Sequence, residues 1–178
     1  LDKLKRELTK ASSTGKKIIV TDSLFSMDGI PAPLVSLCDL AETHNASLII
    51  DEAHATGVYG ASGKGLAEAL GVEDRVTIRI GTLSKALGTM GGFVAGSSSL
   101  IDWLWNCVRT QIYSTALPPA ICAASCKALE IIQAEPDRRR LLHANAEFLR
   151  MELQNIPGIS VVESSGPIIP VILKSYDF

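Results

Sequence analysis

A lysine at position 85 lies in a run of small residues that reads Gly-Thr-Leu-Ser-Lys-Ala-Leu-Gly over 81–88. The run follows the apolar segment 76–80, a predicted strand, and open α/β sheets bind ligands in the loops after their strands. Glycine and serine neighbours let another molecule approach the backbone and leave the amine unshielded. This setting suits a lysine that exchanges Schiff bases. A solvated lysine in a flexible glycine-rich loop is the alternative, and this run alone leaves both open.

A second reactive group, Asp51-Glu52-Ala53-His54, ends another apolar segment. One interpretation is the box of a DEAH-type nucleic-acid-dependent ATPase, in which Asp51 holds Mg²⁺ and Glu52 polarises the attacking water. That class needs a phosphate loop of the form G-x-x-x-x-G-K-[ST]. Residues 58–65 read Val-Tyr-Gly-Ala-Ser-Gly-Lys-Gly, without the first glycine or the final hydroxyl residue. A strand-end aspartate beside a surface histidine is the remaining plain interpretation.

The same box can instead be combined with the lysine to hold pyridoxal phosphate (PLP). The PLP ring needs a carboxylate beside its nitrogen, because that charge keeps the ring an electron sink. It also needs a lysine for its aldehyde, with a hydroxyl or imidazole near its phenolic oxygen. Asp51, Lys85, His54 and Ser26 supply these groups from the ends of three predicted strands.

The elements that must position these side chains alternate along the chain. Strands are predicted at 18–22, 48–51, 76–80 and 93–96, with helices at 34–41, 66–70 and 100–108. This spacing favours right-handed crossovers and an α/β fold with a mainly parallel sheet and flanking helices. Loops that follow parallel strands meet at one edge of the sheet. We therefore expect the candidate residues to converge there.

The composition excludes several classes of function. The chain has 178 residues, 47% hydrophobic and 20% charged, with a net charge of -2. A packed core is therefore expected, and nothing in the bulk charge favours nucleic acid or an anionic membrane as a partner. No apolar run is long enough for a membrane span and no signal-peptide core follows the charged first residues, so a cytoplasmic location is predicted. The four cysteines lack metal-site spacing and are predicted to be reduced, core or near-core thiols, with no metal site.

Four stretches of the sequence resemble the motifs of one enzyme family. Residues 82–88 are similar to the lysine motif of class II aminotransferase-type, fold type I PLP enzymes. Residues 22–29, 51–57 and 114–119 resemble the motifs of the α-oxoamine synthase branch of that family. The similarity runs in order from residue 18 to 173. Agreement of four motifs is more specific than any one motif.

The resemblance implies roles for five side chains. Lys85 would hold the PLP aldehyde as an imine and serve as the acid and base of the proton transfers. Asp51 would pair with the ring nitrogen, and His54 and Ser26 would bond the phenolic oxygen. Thr82 would reach the phosphate.

The resemblance also implies partners and a reaction. Thr115, in the segment 114–119, would complete the phosphate site of a second subunit, so a homodimer is expected. Within the branch the motifs are most similar to the member that joins L-alanine to a pimeloyl thioester, carried by coenzyme A or by a carrier protein, with loss of CO₂. Sibling activities remain alternatives: glycine C-acetyltransferase, 5-aminolevulinate synthase and serine palmitoyltransferase.

Members of the branch are about twice as long as this chain. The upstream glycine-rich turn, the ring-stacking histidine and the downstream carboxylate-binding arginine have no counterpart here. The resemblance therefore implies a fragment: residues 1–134 as part of the large PLP-binding domain, and 135–178 as the start of a small α+β domain. Little catalysis is expected from these 178 residues alone.

Two further features complete the predictions. The run Arg138-Arg139-Arg140 is expected to be solvated. Trp103 and Trp105 are expected to pack in the interior or in a dimer interface.

Overall fold

The computed structural model of the protein describes residues 1–11 and 14–173. The helices are α1 (Asp2–Lys10), α2 (Leu34–Thr43), α3 (Leu66–Ala69), α4 (Ser98–Cys107), α5 (Arg109–Ile112), α6 (Pro119–Ala134) and α7 (Asp137–Gln154). The strands are β1 (Lys17–Asp22), β2 (Ala46–Asp51), β3 (Ile78–Thr82), β4 (Gly92–Gly96), β5 (Ile159–Val161) and β6 (Val171–Leu173).

The main sheet has four strands in the order β1-β2-β3-β4. The first three are parallel, and β4 pairs with β3 in the antiparallel direction. The predicted α/β fold with a mainly parallel sheet is confirmed. Strands β5 and β6 form a separate antiparallel pair.

Strand β3 begins two residues later than predicted and ends at Thr82 rather than Ile80. The prediction followed the apolar run from Val76, but pairing with β4 sets the actual limits, with Ile78 opposite Gly96 and Thr82 opposite Gly92. Thr82 is therefore a strand residue, and the lysine loop begins one residue later.

One face of the sheet carries the hydrophobic core. Because side chains alternate along a strand, Ile19 of β1 shares a face with Leu48 and Ile50 of β2. All three are buried, and the core includes Leu34, Leu37 and Cys38 of α2. We call this the covered face of the sheet.

The opposite face is exposed in this chain. Ile18 and Val20 of β1 lie on it with 58% and 69% of their surface accessible. Ile80 of β3 and Val94 of β4, which are paired, are also exposed on this side. We call it the open face, and it is the face on which Asp51 lies, one residue after Ile50.

The region after α6 packs on the loop 57–64 through two basic side chains. Arg139, expected to be solvated, is buried and donates to the carbonyls of Ile132 and Ala61, each at 2.6 Å. His143 lies 3.0 Å from the carbonyl of Val58. Arg138 and Arg140 are exposed as predicted, and the prediction is wrong for Arg139 because helix geometry turns the middle residue of the three inward. The proposed domain boundary falls at the turn between α6 and α7 and stays a prediction, and residues 174–178 of the second domain lie outside the described ranges.

Three cysteines are more exposed than predicted, whereas for Trp103 and Trp105 only the interior setting is wrong and packing in a dimer interface stays a prediction. Cys38 is buried, but Cys107, Cys122 and Cys126 are exposed. Trp103 and Trp105 are exposed in this chain and do not pack in its interior. In residues 1–11 and 14–173 no helix is long and apolar enough to cross a membrane. In the same ranges no three metal-binding side chains cluster.

Candidate active site

The carboxyl ends of three parallel strands place the candidate residues at one edge of the sheet. Asp22 pairs in register with Asp51, and Asp51 with Ile80. Because the side-chain period of a strand is two, Asp51, Ile80 and Thr82 share the open face. Neighbouring strands lie about 4.8 Å apart, so this register puts Asp51 close to the start of the lysine loop.

The lysine loop, residues 83–91, is closed by its own backbone. The N–H of Leu83 donates to Gly91 O at 2.9 Å, and the N–H of Thr89 donates to Leu83 O at 2.8 Å. Gly88 has a φ of +66° and Gly91 one of +107°, values that disfavour residues with a side chain. The loop therefore presents Lys85 from a fixed turn rather than from a flexible linker.

Lys85 and His54 are in direct contact. The Lys85 Nζ lies 2.8 Å from His54 Nε2. An ammonium group can only donate, so a protonated Lys85 donates to Nε2 and the imidazole then carries its own proton on Nδ1. Lys85 is exposed and His54 half-buried. Two residues 31 positions apart thus form a nucleophile and imidazole pair on an accessible surface.

Asp51 is held in place but keeps an accessible oxygen. Its Oδ1 accepts the N–H of Ala53 at 2.7 Å, as in an Asx turn, and the residue is half-buried. Within the described ranges Oδ2 has no hydrogen-bond partner. A fixed carboxylate with one free oxygen can accept a bond from a protonated ring nitrogen.

Hydroxyl groups gather where β3 ends. Thr82 Oγ1 donates to Gly91 O at 3.1 Å, lies 2.8 Å from Ser84 Oγ, and accepts the N–H of Ser84 at 3.2 Å. Two hydroxyls at a loop start can donate to an anionic oxygen. Ser84 belongs to the motif of 82–88, but no role was predicted for it.

Two predicted site residues stand outside this bonded group. Ser26 is exposed in the tight turn after β1, where the N–H of Gly29 donates to Phe25 O at 2.9 Å. Thr115 is exposed in the irregular segment before α6. Neither side chain makes a hydrogen bond with any residue that the structure describes. Their predicted roles stay predictions.

The sequence interpretation assigned no positioning role to Glu52 or to Ser125. Glu52 is buried and its carboxylate accepts from three protein donors, so it does not face solvent. Ser125 of α6 lies 2.8 Å from the hydroxyl of Thr89 and so braces the lysine loop. No spacing rule connects either residue to the site, since Glu52 acts on residues 14 and 29 positions away.

These side chains fit PLP by their chemistry: an accessible lysine in contact with an imidazole, a fixed carboxylate at the end of the adjacent strand, and two hydroxyls where the lysine loop begins. Fold and site together define a PLP-dependent enzyme with an α/β, mainly parallel sheet. The chain belongs to the aminotransferase class I and II family, whose model matches residues 1–177. This membership confirms the resemblance drawn from the four motifs and contradicts the DEAH-type ATPase alternative.

Within this family, the chain is similar to two kinds of enzyme among the relatives and solved structures. The chain is 49% identical over 158 residues to an 8-amino-7-oxononanoate synthase of Anaeromyxobacter dehalogenans, an alignment that covers 89% of this chain and 40% of that protein. Its fold is similar, with a TM-score of 0.92 and 28% identity, to a serine palmitoyltransferase from S. paucimobilis with a bound PLP–myriocin aldimine, over 98% of this chain and 45% of the other. The 8-amino-7-oxononanoate synthase of Francisella tularensis gives a TM-score of 0.70 and 30% identity over 84% and 44%. The chain thus spans less than half the length of the proteins it matches.

Proposed function

We propose that this chain is part of a PLP-dependent acyltransferase that condenses L-alanine with a pimeloyl thioester to give 8-amino-7-oxononanoate, CO₂ and the free thiol carrier. Names of relatives at 49% identity support this reaction over those of the sibling enzymes. The single observation that carries the chemistry is the 2.8 Å contact between Lys85 and His54 at the strand ends.

We assign a separate role in such a site to each of three residues of this chain. PLP, when bound, supplies an electron sink for the carbanion formed at the amino acid Cα. Lys85 would hold the cofactor, and its amine would take the Cα proton of the amino acid and return it. Asp51 would accept from the protonated ring nitrogen through Oδ2, which has no partner in the described part of the chain. Thr82 would turn its hydroxyl from Gly91 O to the phosphate.

His54 and Ser26 are assigned to the phenolic oxygen of the ring. The His54 Nε2 lies 2.8 Å from the lysine amine, so its imidazole would be within reach of a cofactor held by Lys85. Ser26 occupies the neighbouring turn, and its hydroxyl has no hydrogen-bond partner among residues 1–11 and 14–173. These two donors would orient the ring without taking part in bond breaking.

A homodimer would complete the site. Thr115 lies exposed, and its hydroxyl has no partner within the described part of the chain, which leaves it available to the phosphate site of a second subunit. The acyl group would be carried by coenzyme A or by a carrier protein. A cytoplasmic location is part of the proposal.

A serine palmitoyltransferase type of activity is the second candidate. It is favoured by one observation, the TM-score of 0.92 to such an enzyme, although identity to it is only 28%. Both candidates use the same lysine, aspartate and histidine. They differ in the amino acid and the acyl chain.

The test uses the complete protein with PLP and each pairing of L-alanine, glycine or L-serine with pimeloyl, acetyl, succinyl or palmitoyl thioester. Products are identified by mass spectrometry. The proposal expects alanine with pimeloyl thioester to exceed every other pairing at least tenfold in kcat/KM, and Lys85→Ala to abolish turnover. A preference for L-serine and palmitoyl thioester would establish the second candidate instead. The 178-residue chain alone is expected to show little turnover.

A further inference from the structure

Glu52 is a fully buried carboxylate next to the candidate site. Only 1% of its surface is accessible, and no other Asp or Glu is buried in residues 1–11 and 14–173. Oε2 accepts from the Ser23 hydroxyl at 2.7 Å and from the N–H of Leu66 at 3.0 Å, and Oε1 accepts from the N–H of Ala67 at 2.9 Å. Each donor belongs to a segment other than that of Glu52 itself.

The site around Glu52 is built for a carboxylate. Gly65 precedes α3 with a φ of +123°, and a Cβ there would lie 2.5 Å from the Glu52 carboxylate. The first N–H groups of a helix have no partner within the helix, so α3 supplies two of them to the anion. An unpaired charge in such a place would be strongly destabilising, so the carboxylate has one orientation available.

The backbone of Glu52 forms hydrogen bonds with β3 and with the turn that follows β2. Its N–H donates to Ile80 O at 2.7 Å, which ties it to β3 two residues before Thr82. Its carbonyl accepts the N–H groups of Ala55 and Thr56 at 2.9 and 2.8 Å, which closes the turn that carries His54. Glu52 therefore contacts the loop after β1 through Ser23, its own turn, and β3.

Glu52 lies away from the reacting surface. Asp51 is on the open face, and the next residue turns to the other side of the sheet. Glu52 lines a partly open cavity there together with Phe93 and Ile132, and its own side chain is buried. It can thus act on the chemistry only through the residues it holds.

We propose that Glu52 is a positioning residue that fixes Asp51 and His54 relative to Lys85, because its buried carboxylate ties the turn between them to the loop after β1 through Ser23 and to the start of α3. The inference rests on the proposed function. Catalytic groups need to be held to within about 0.5 Å by surrounding hydrogen bonds, and Glu52 supplies those bonds here. Loss of these bonds would loosen the cofactor site even where the fold survives.

The test compares Glu52→Gln with Glu68→Gln in the complete protein. Gln at 52 keeps the shape, but its NH₂ must face at least one backbone N–H that now lacks an acceptor. Glu68 is a matched control, since it also accepts two backbone N–H groups, those of Ser62 and Lys64 at 2.9 Å each, and bonds none of the strand ends. Measurements are the unfolding midpoint, the Kd for PLP, and the pH midpoint of the absorbance of bound PLP.

We expect Glu52→Gln to raise the Kd for PLP at least tenfold and to shift the pH midpoint, while Glu68→Gln changes the Kd less than twofold at a similar loss of stability. Equal effects of the two variants would overturn the inference. If Glu52→Gln does not fold, Ser23→Ala decides: it removes one donor, and an unchanged Kd and pH midpoint would overturn the inference. A wild-type protein that gives no borohydride-stable adduct on Lys85 would overturn the proposed function, and the inference with it.

Discussion

The two faces of the four-stranded sheet are built differently. On the covered face Leu48 and Ile50 are fully buried against α2. On the open face Ile18 and Val20 are mostly accessible, although they belong to the same strand as the buried Ile19. Alternation along each strand assigns the side chains to the two faces, but the neighbouring elements of this chain cover only one of them.

The difference explains how the site is both accessible and rigid. Asp51 and Thr82 lie on the open face, where a ligand can reach them. The groups that hold the strand ends lie on the other side, where Glu52 and Phe93 line one cavity with Leu129 and Ile132 of α6. Chemistry is placed on one side of the sheet and its support on the other.

The largest expected effect tests this asymmetry directly. Leu48→Ala should lower the free energy of unfolding of the 178-residue chain by about 2–5 kcal/mol, because it leaves a cavity in a closed core. Val20→Ala on the open face should change it by less than about 0.5 kcal/mol. Denaturant titration of both variants measures the difference. A large loss at Val20 would mean that the open face is packed in solution.

A second comparison separates two carboxylates on the open face. Asp22 and Asp51 are paired in register at the ends of adjacent strands. In the complete protein Asp51→Asn should lower kcat/KM about a hundredfold or more, since a preorganised charge beside the cofactor is lost. Asp22→Asn should change it less than about threefold. Steady-state kinetics measure kcat/KM for both variants. Equal losses of kcat/KM in the two variants would contradict a special role for Asp51.

The smallest effect concerns the brace between the lysine loop and α6. The Thr89 hydroxyl contacts Leu83 O and Ser125 Oγ, and Ser125 also contacts Ile121 O. Two hydroxyls have two hydrogens for these three contacts, so one contact is always unfilled. Thr89→Val and Ser125→Ala should each cost about 1 kcal/mol, and the double variant less than their sum. A strictly additive double variant, measured by thermal unfolding, would show that the two hydroxyls act independently.

The sequence was informative wherever a local pattern determined the structure. Apolar runs located β1 and β2 to within two residues, and four ordered motifs led to the family. The face that each strand buries could not be read from the runs, because Ile18, Ile19 and Val20 are equally apolar. Ile19 is the buried one because its side of the sheet is the side that α2 covers.

Long-range contacts account for what the sequence did not predict. Strand β3 was placed two residues early because its limits depend on pairing with β4. Glu52 was considered only as a group facing water, since its donors Ser23 and Leu66 are far away in sequence. Three cysteines expected in or near the core are exposed, because helices α4 and α6 present those sides to solvent in this chain.

The most direct test of the central claim is to locate the covalent site of PLP. The complete protein is incubated with PLP, reduced with borohydride, digested and mapped by mass spectrometry. The account predicts a pyridoxyl group on Lys85 and none on Lys64, which is also exposed and lies between two glycines on a neighbouring loop. Modification of Lys64 in place of Lys85, or of neither, would contradict it.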